Sequence, residues 1–122
     1  MIETEGLTHI HLVVSDLTRS LRFYQGAFGM EEMFRDGPDM VFLRTPGSRD
    51  TITLNGAPDE RDQAGRAGGV GHFGFRLKDD QDIDDAIRKA EAAGGRLVER
   101  GEHAPGVSFA YIADPDGNII EL

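Results

Sequence analysis

Three residues of this chain have the types and placement to hold a divalent cation: His9, His72 and Glu121. Two imidazoles and one carboxylate leave open positions on an octahedral ion, and a substrate or an activated oxygen can occupy them. The two histidines stand in segments that read as copies of one another. Thr8-His9-Ile10-His11-Leu12-Val13-Val14-Ser15-Asp16 lies over Gly71-His72-Phe73-Gly74-Phe75-Arg76-Leu77-Lys78-Asp79, each with a leading histidine, an extended apolar run and an aspartate before a helix. A lone histidine on a strand is more often a hydrogen-bonded rim residue than a ligand, and the repeat is what raises these two. Glu121 sits between Ile120 and Leu122 in an apolar strand, where an inward carboxylate needs a partner and a cation is an economical one. Two further residues are candidates for catalysis. His11, two positions beyond His9 on the same strand face, suits a general base, a second coordination role or a cross-sheet hydrogen bond. Tyr111 suits a hydroxyl aimed at a bound substrate, or an ordinary aromatic strand position. His103, in a Gly/Pro-containing stretch, reads as an exposed loop residue. Arg44 and Arg76 read as surface strand arginines paired with acidic neighbours.

The elements that must position these groups follow from periodicity. Leu7 to Val14 is a strand with His9, His11 and Val13 on one face, and Asp16 caps a helix in which Leu17, Leu21, Tyr24 and Phe28 recur at helical spacing before the stop at Gly29. Strands follow at Glu31 to Arg35, Met40 to Thr45 and Asp50 to Leu54, separated by Asp36-Gly37-Pro38-Asp39 and Pro46-Gly47-Ser48-Arg49. Gly56 to Gly69 has no apolar period and reads as a flexible linker. The order then repeats: a strand at Val70 to Leu77, a helix near Asp82 to Ala93, and strands near Arg96 to Arg100, Val107 to Ala113 and Asn118 to Leu122, the last entered through the turn Asp114-Pro115-Asp116-Gly117. The expected class is α+β, built as two βαβββ modules (7–55 and 70–122) around the linker 56–69 in one domain.

Composition narrows the function. The 122 residues fit one compact domain, and 22 acidic against 13 basic residues give a formal charge of −9. Nucleic acid and anionic membrane surfaces are therefore poor partners, and a small molecule is the expected one. With no cysteine, a metal site must be built from oxygen and nitrogen ligands. The opening Met1 to Gly6 lacks the basic and apolar regions of a secretory signal, so a cytoplasmic location is expected.

At these residues the chain resembles the vicinal oxygen chelate superfamily, which includes glyoxalase I, fosfomycin-inactivating enzymes, extradiol dioxygenases, methylmalonyl-CoA epimerase and bleomycin resistance proteins. The resemblance runs over nearly the whole chain, through His9 to Leu17, Phe23-Tyr24, Phe28-Gly29-Met30, His72 and Asp114 to Leu122. It implies a U-shaped half-barrel around a divalent ion, ligands at His9, His72 and Glu121, and a homodimer in which the metal site can be shared between chains. Departures sort the subfamilies. Glyoxalase I has a fourth ligand, a glutamate, at the position of Thr53. Extradiol dioxygenases share a tyrosine ten residues before the ligand glutamate, matching Tyr111, but place a further histidine where this chain has Asp50-Thr51. Fosfomycin-inactivating enzymes share the three ligands and the tyrosine, but continue with basic residues where Leu122 stands. The expectation is a metalloenzyme binding Fe(II) or Mn(II) by preference, with Zn(II), Ni(II) or Co(II) as the other candidates, and performing dioxygenase or fosfomycin-type transferase or lyase chemistry. A glyoxalase I-like lyase and a non-catalytic drug- or metabolite-binding protein are the alternatives.

Overall fold

A computed structural model describes all 122 residues. Two helices pack on two four-stranded mixed sheets with the same internal order. The first comprises β1 (Ile10–Val13), β2 (Glu31–Asp36), β3 (Met40–Arg44) and β4 (Ile52–Asn55) in the order β1-β4-β3-β2; α1 (Leu17–Phe28) joins β1 to β2. The second comprises β5 (Phe73–Gly74), β6 (Arg96–Ala104), β7 (Val107–Ala113) and β8 (Ile119–Glu121) in the order β5-β8-β7-β6, with α2 (Ile83–Ala92) joining β5 to β6. In each sheet the first strand pairs parallel to the last, and the remaining pairs are antiparallel.

Local chemistry explains the helix ends. Asp16 and Asp82 cap α1 and α2 by accepting from the backbone N–H groups of Arg19 and Asp85. Gly29 closes α1 in the left-handed conformation that glycine adopts without strain. One apolar cluster draws on both halves, joining Val14, Phe23, Tyr24, Leu43 and Leu54 to Ala90, Ile112 and Ile120. Polar contacts lock the same joint. Tyr24 donates to Asp114 across 2.7 Å. Asp116 accepts from the Ser15 backbone and hydroxyl, and from the Arg19 guanidinium at 3.1 Å.

Three stretches differ from the sequence-based expectation. The first strand of the second half shrinks from Val70–Leu77 to Phe73–Gly74, because glycines at 68, 69, 71 and 74 dilute the apolar run and leave little side chain to pack. The linker is not featureless: a 3-10 turn covers Arg61–Gln63, and Gly65 presses against the turn before β8. In the other direction, β6 runs four residues past Arg100, since its antiparallel pairing with β7 continues to Ala104 opposite Val107. His103 is therefore a strand residue and not a loop residue.

Candidate functional site

The register of the second sheet gathers the site. Glu121 on β8 lies opposite Gly74 on β5 and opposite Tyr111 on β7, so the tyrosine and the carboxylate share a face. His72 enters just before β5 and brings its Nε2 to 3.0 Å from Glu121 Oε2. His103 reaches the same carboxylate from β6, with Nε2 2.8 Å from Oε1. Each imidazole thus takes one carboxylate oxygen. The hydrogen bond from His103, followed by the charges of His103 and His72, holds the Glu121 carboxyl below its ordinary value of 4.5 despite the opposing effect of burial.

An aromatic row ties the two imidazoles together from behind. The His103 ring stacks on Phe109 with centroids 4.3 Å apart, Phe109 meets Tyr111 edge to face at 5.3 Å, and Tyr111 meets His72 edge to face at 5.1 Å. Phe109 can lie across β6 because the residue opposite it is Gly101, where a Cβ would stand 3.0 Å from the ring. His72, Tyr111, Phe109, His103 and Glu121 therefore form a closed circuit of contacts.

Of the residues singled out from sequence, the structure brings together His72, Glu121 and Tyr111. His9 stands apart, exposed, sharing a hydrogen bond of 2.7 Å with the Thr8 hydroxyl. His11 is exposed on β1 opposite Thr53 and lines a cleft that also reaches His72. Arg44 and Arg76 make no ion pair. His103 was missed: its Gly/Pro surroundings pointed to a loop, and only its spacing along β6 could have placed it near Glu121.

The donor set fits a divalent ion in part. An Nε2 to Oε2 separation of 3.0 Å is the edge of an octahedron with bonds of about 2.1 Å, so His72 and Glu121 suit two adjacent positions. A third protein ligand does not converge: no three His, Asp, Glu or Cys residues of one chain gather as a metal-holding group. The equivalent position in the first sheet is Thr53, opposite His11 as Glu121 is opposite Gly74. It is buried, and its hydroxyl has no hydrogen-bond partner.

A family model described as the Glyoxalase/Bleomycin resistance protein/Dioxygenase superfamily matches residues 6–122. An uncharacterised protein of Pseudomonas aeruginosa is 32% identical over 120 residues, covering 95% of this chain and 86% of that protein. A manganese-dependent 2,3-dihydroxybiphenyl 1,2-dioxygenase of Geobacillus genomosp. 3 is 31% identical over 116 residues, covering 93% of this chain but 35% of the enzyme, so the likeness spans about a third of its length. Among solved structures, the fosfomycin resistance protein FosX of Listeria monocytogenes superposes with a TM-score of 0.77 at 24% identity, covering all of this chain and 93% of that one; at this identity the likeness concerns fold alone. No helix is long and apolar enough to cross a membrane. With the repeated sheet order, the paired first and last strands and a match from residue 6 to the final leucine, the chain belongs to the glyoxalase/bleomycin resistance protein/dioxygenase superfamily, the vicinal oxygen chelate superfamily.

Proposed function

We propose that the protein is a metal-dependent enzyme of this superfamily in which His72 and Glu121 of one copy and His9 of a second copy hold a divalent ion, Fe(II) or Mn(II) by preference. The observation that carries this reading is the Glu121 carboxylate, set in an apolar strand and faced by two imidazoles but by no lysine or arginine. A homodimer supplies the missing third ligand without moving β1 within the chain. Bound there, the ion would act as a Lewis acid toward two oxygens of a small substrate.

The chain's own residues supply the rest. His103 fixes Oε1 of Glu121 and so leaves Oε2 turned toward His72. Tyr111, directly opposite Glu121, offers a phenolic proton to an oxygen of the substrate. His11, on the first strand, is the candidate base at the opposite wall. Three-ligand chemistry, of the dioxygenase or fosfomycin-type transferase or lyase kind, is favoured over a glyoxalase I-like lyase by Thr53, which supplies no carboxylate. The likeness to a manganese-dependent dioxygenase supports the first of these. A non-catalytic drug- or metabolite-binding protein is the alternative, and the separation of His9 from the other two is the observation in its favour.

Metal stoichiometry tests the reading. Protein stripped with chelator and reloaded with Mn(II) is expected to bind one ion per chain, and His9→Ala or His72→Ala to bind none. A heterodimer of one His9→Ala and one His72→Ala chain, separated by two affinity tags, retains one intact site if the ligands come from different chains. One ion per heterodimer is the expected result, and none would place all three ligands in a single chain. Wild-type protein that holds no stoichiometric ion, or His72→Ala with unchanged affinity, overturns the metalloenzyme.

A further inference from the structure

The stretch that leads into β1 lies in water. Ile2 and Leu7 are 89% and 94% exposed, large apolar side chains that leave their surface unburied. Glu3 and Glu5 stand between them, and their one ion pair joins Glu5 to Arg49 at 3.7 Å, both side chains being more than nine-tenths exposed. Such a pair contributes little.

A surface with the opposite properties lies on the same molecule. Between β1 and β5, the outer strands of the two sheets, a cleft of about 670 Å³ runs to His72. No aspartate or glutamate lines it, in a chain of net charge −9, and its one arginine, Arg66, enters no ion pair. Val70, also in the lining, is 59% exposed. The segment that carries both residues is anchored. Gly65 adopts φ +74°, and a Cβ there would collide with the Asp116 carbonyl oxygen, so only glycine lets the chain rest on the turn before β8. Backbone bonds from Arg66 to Gln63 and from Val70 to Ala67 hold the turns on either side.

We infer that Glu3–Leu7 of a second copy docks in this cleft, Leu7 beside Val70 and the carboxylates of Glu3 and Glu5 against the Arg66 guanidinium. The inference rests on the reading that His9 of the second copy joins His72 and Glu121. Leu7 precedes His9 by two residues, an extended span of about 7 Å, so a chain that delivers His9 to the His72 end of the cleft lays Leu7 in the cleft itself. What is added is the surface that seats the second copy and the charge pair that orients it. Two-fold symmetry makes the contact twice, each copy giving its stretch and receiving the other's. The cleft is then open in the single chain and filled in the dimer.

The chain has no cysteine, so disulfide trapping reads the contact directly. Metal-stripped, full-length Leu7→Cys protein, mixed with differently tagged Val70→Cys protein and mildly oxidised, is expected to give the disulfide-linked pair of unlike chains on a denaturing gel. Thr18→Cys, exposed on α1, used in place of Leu7→Cys should give none. Sedimentation of the stripped protein measures the charge pair. The wild type is expected to dimerise. Arg66→Glu sets like charges together and should weaken the dimer about tenfold or more, as should Glu3→Arg with Glu5→Arg. All three substitutions in one chain should restore it, and Arg61→Glu, exposed on the same segment outside the cleft, should leave it unchanged. A missing link between unlike chains, a monomeric stripped wild type, an Arg66→Glu dimer as tight as the wild type, or a triple variant no tighter than Arg66→Glu overturns the proposal. The metal reading fails separately: protein that forms the link and binds no Mn(II) sinks the shared metal site alone, and protein that binds one Mn(II) per chain without the link sinks the docked segment alone.

Discussion

Replacing Tyr24 with phenylalanine removes one hydroxyl from the joint between the two halves and leaves the apolar packing of the ring intact. Tyr24 is fully buried on α1, and its hydroxyl donates 2.7 Å to Asp114 Oδ2, at the start of the turn that feeds β8 and Glu121. Asp114 is itself 3% exposed and keeps three other donors: the Asn118 side-chain amide, and the backbone N–H groups of Asp116 and Asn118. A hydrogen bond to a buried charged group contributes about 1.5–3 kcal/mol, and the remaining donors place the loss toward the middle, about 2 kcal/mol. For 122 residues at roughly 2.1 cal/mol/K each, that loss lowers Tm by about 8 °C. Urea unfolding at pH 7 and fixed protein concentration measures it, with an unchanged slope expected. The pH dependence provides a second signature. Burial, and then the Asp114 carboxylate, raise the Tyr24 phenol well above its ordinary 10.0. The fold therefore favours the protonated phenol: this contribution is complete below about pH 10 and falls away as pH climbs toward the folded value. Phenylalanine has no such decline, so the gap between wild type and variant should narrow above pH 10. A loss under about 0.5 kcal/mol at pH 7, or a gap that widens in alkali, would refute this account of the joint.

The aromatic circuit around Glu121 carries two more expectations. His103→Ala frees Oε1 of Glu121, and Mn(II) affinity should fall about 10- to 100-fold with the fold retained, as for other residues that orient a ligand; an unchanged affinity measured by titration would remove His103 from the site. Gly101→Ala puts a Cβ 3.0 Å from the Phe109 ring, which must shift and carry the stacked His103 with it. The same loss of affinity, in the same direction but smaller, is expected, together with displaced His103 ring resonances in the NMR spectrum; an unmoved His103 signal would show that Phe109 does not hold it.

How far the sequence carries depends on the range of the interaction concerned. The ends of α1 were legible because Asp16 and Gly29 act on backbone groups within five residues of themselves. The repeat was legible too, and the register now aligns its endpoints: Thr53 stands opposite His11 where Glu121 stands opposite Gly74. What escaped is what pairing decides. Nothing local at Glu102-His103-Ala104 marks a strand; those residues are extended because β7 runs beside them to Val107, through a hairpin that places Gly106 at φ +78°. The joining of the halves is equally non-local, since Ser15 and Asp116 meet across a hundred residues of chain.

The placement of His9 follows from the same distinction. A repeat in sequence predicts that two residues occupy equivalent positions in their own sheets, and His9 and His72 do, each two residues before the strand position opposite Thr53 or Glu121. Equivalence does not bring them together. That depends on how one sheet faces another, and in one chain the halves are tied by Tyr24 to Asp114 and by Ser15 and Arg19 to Asp116, at the far end of β1 from His9. Those bonds fix the helix side of the joint and leave the His9 end of β1 beside an open seam. The second half meanwhile holds His72 and Glu121 3.0 Å apart, the pair proposed to bind the metal, backed by His103 and an aromatic row. On the proposed metal reading, a first half that ends in Thr53 would contribute His9, and a second half that ends in Glu121 would lack such a histidine. In the proposed homodimer each half would find its complement on the other copy, and the asymmetry between Thr53 and Glu121 would then give a two-fold assembly two sites of three ligands each.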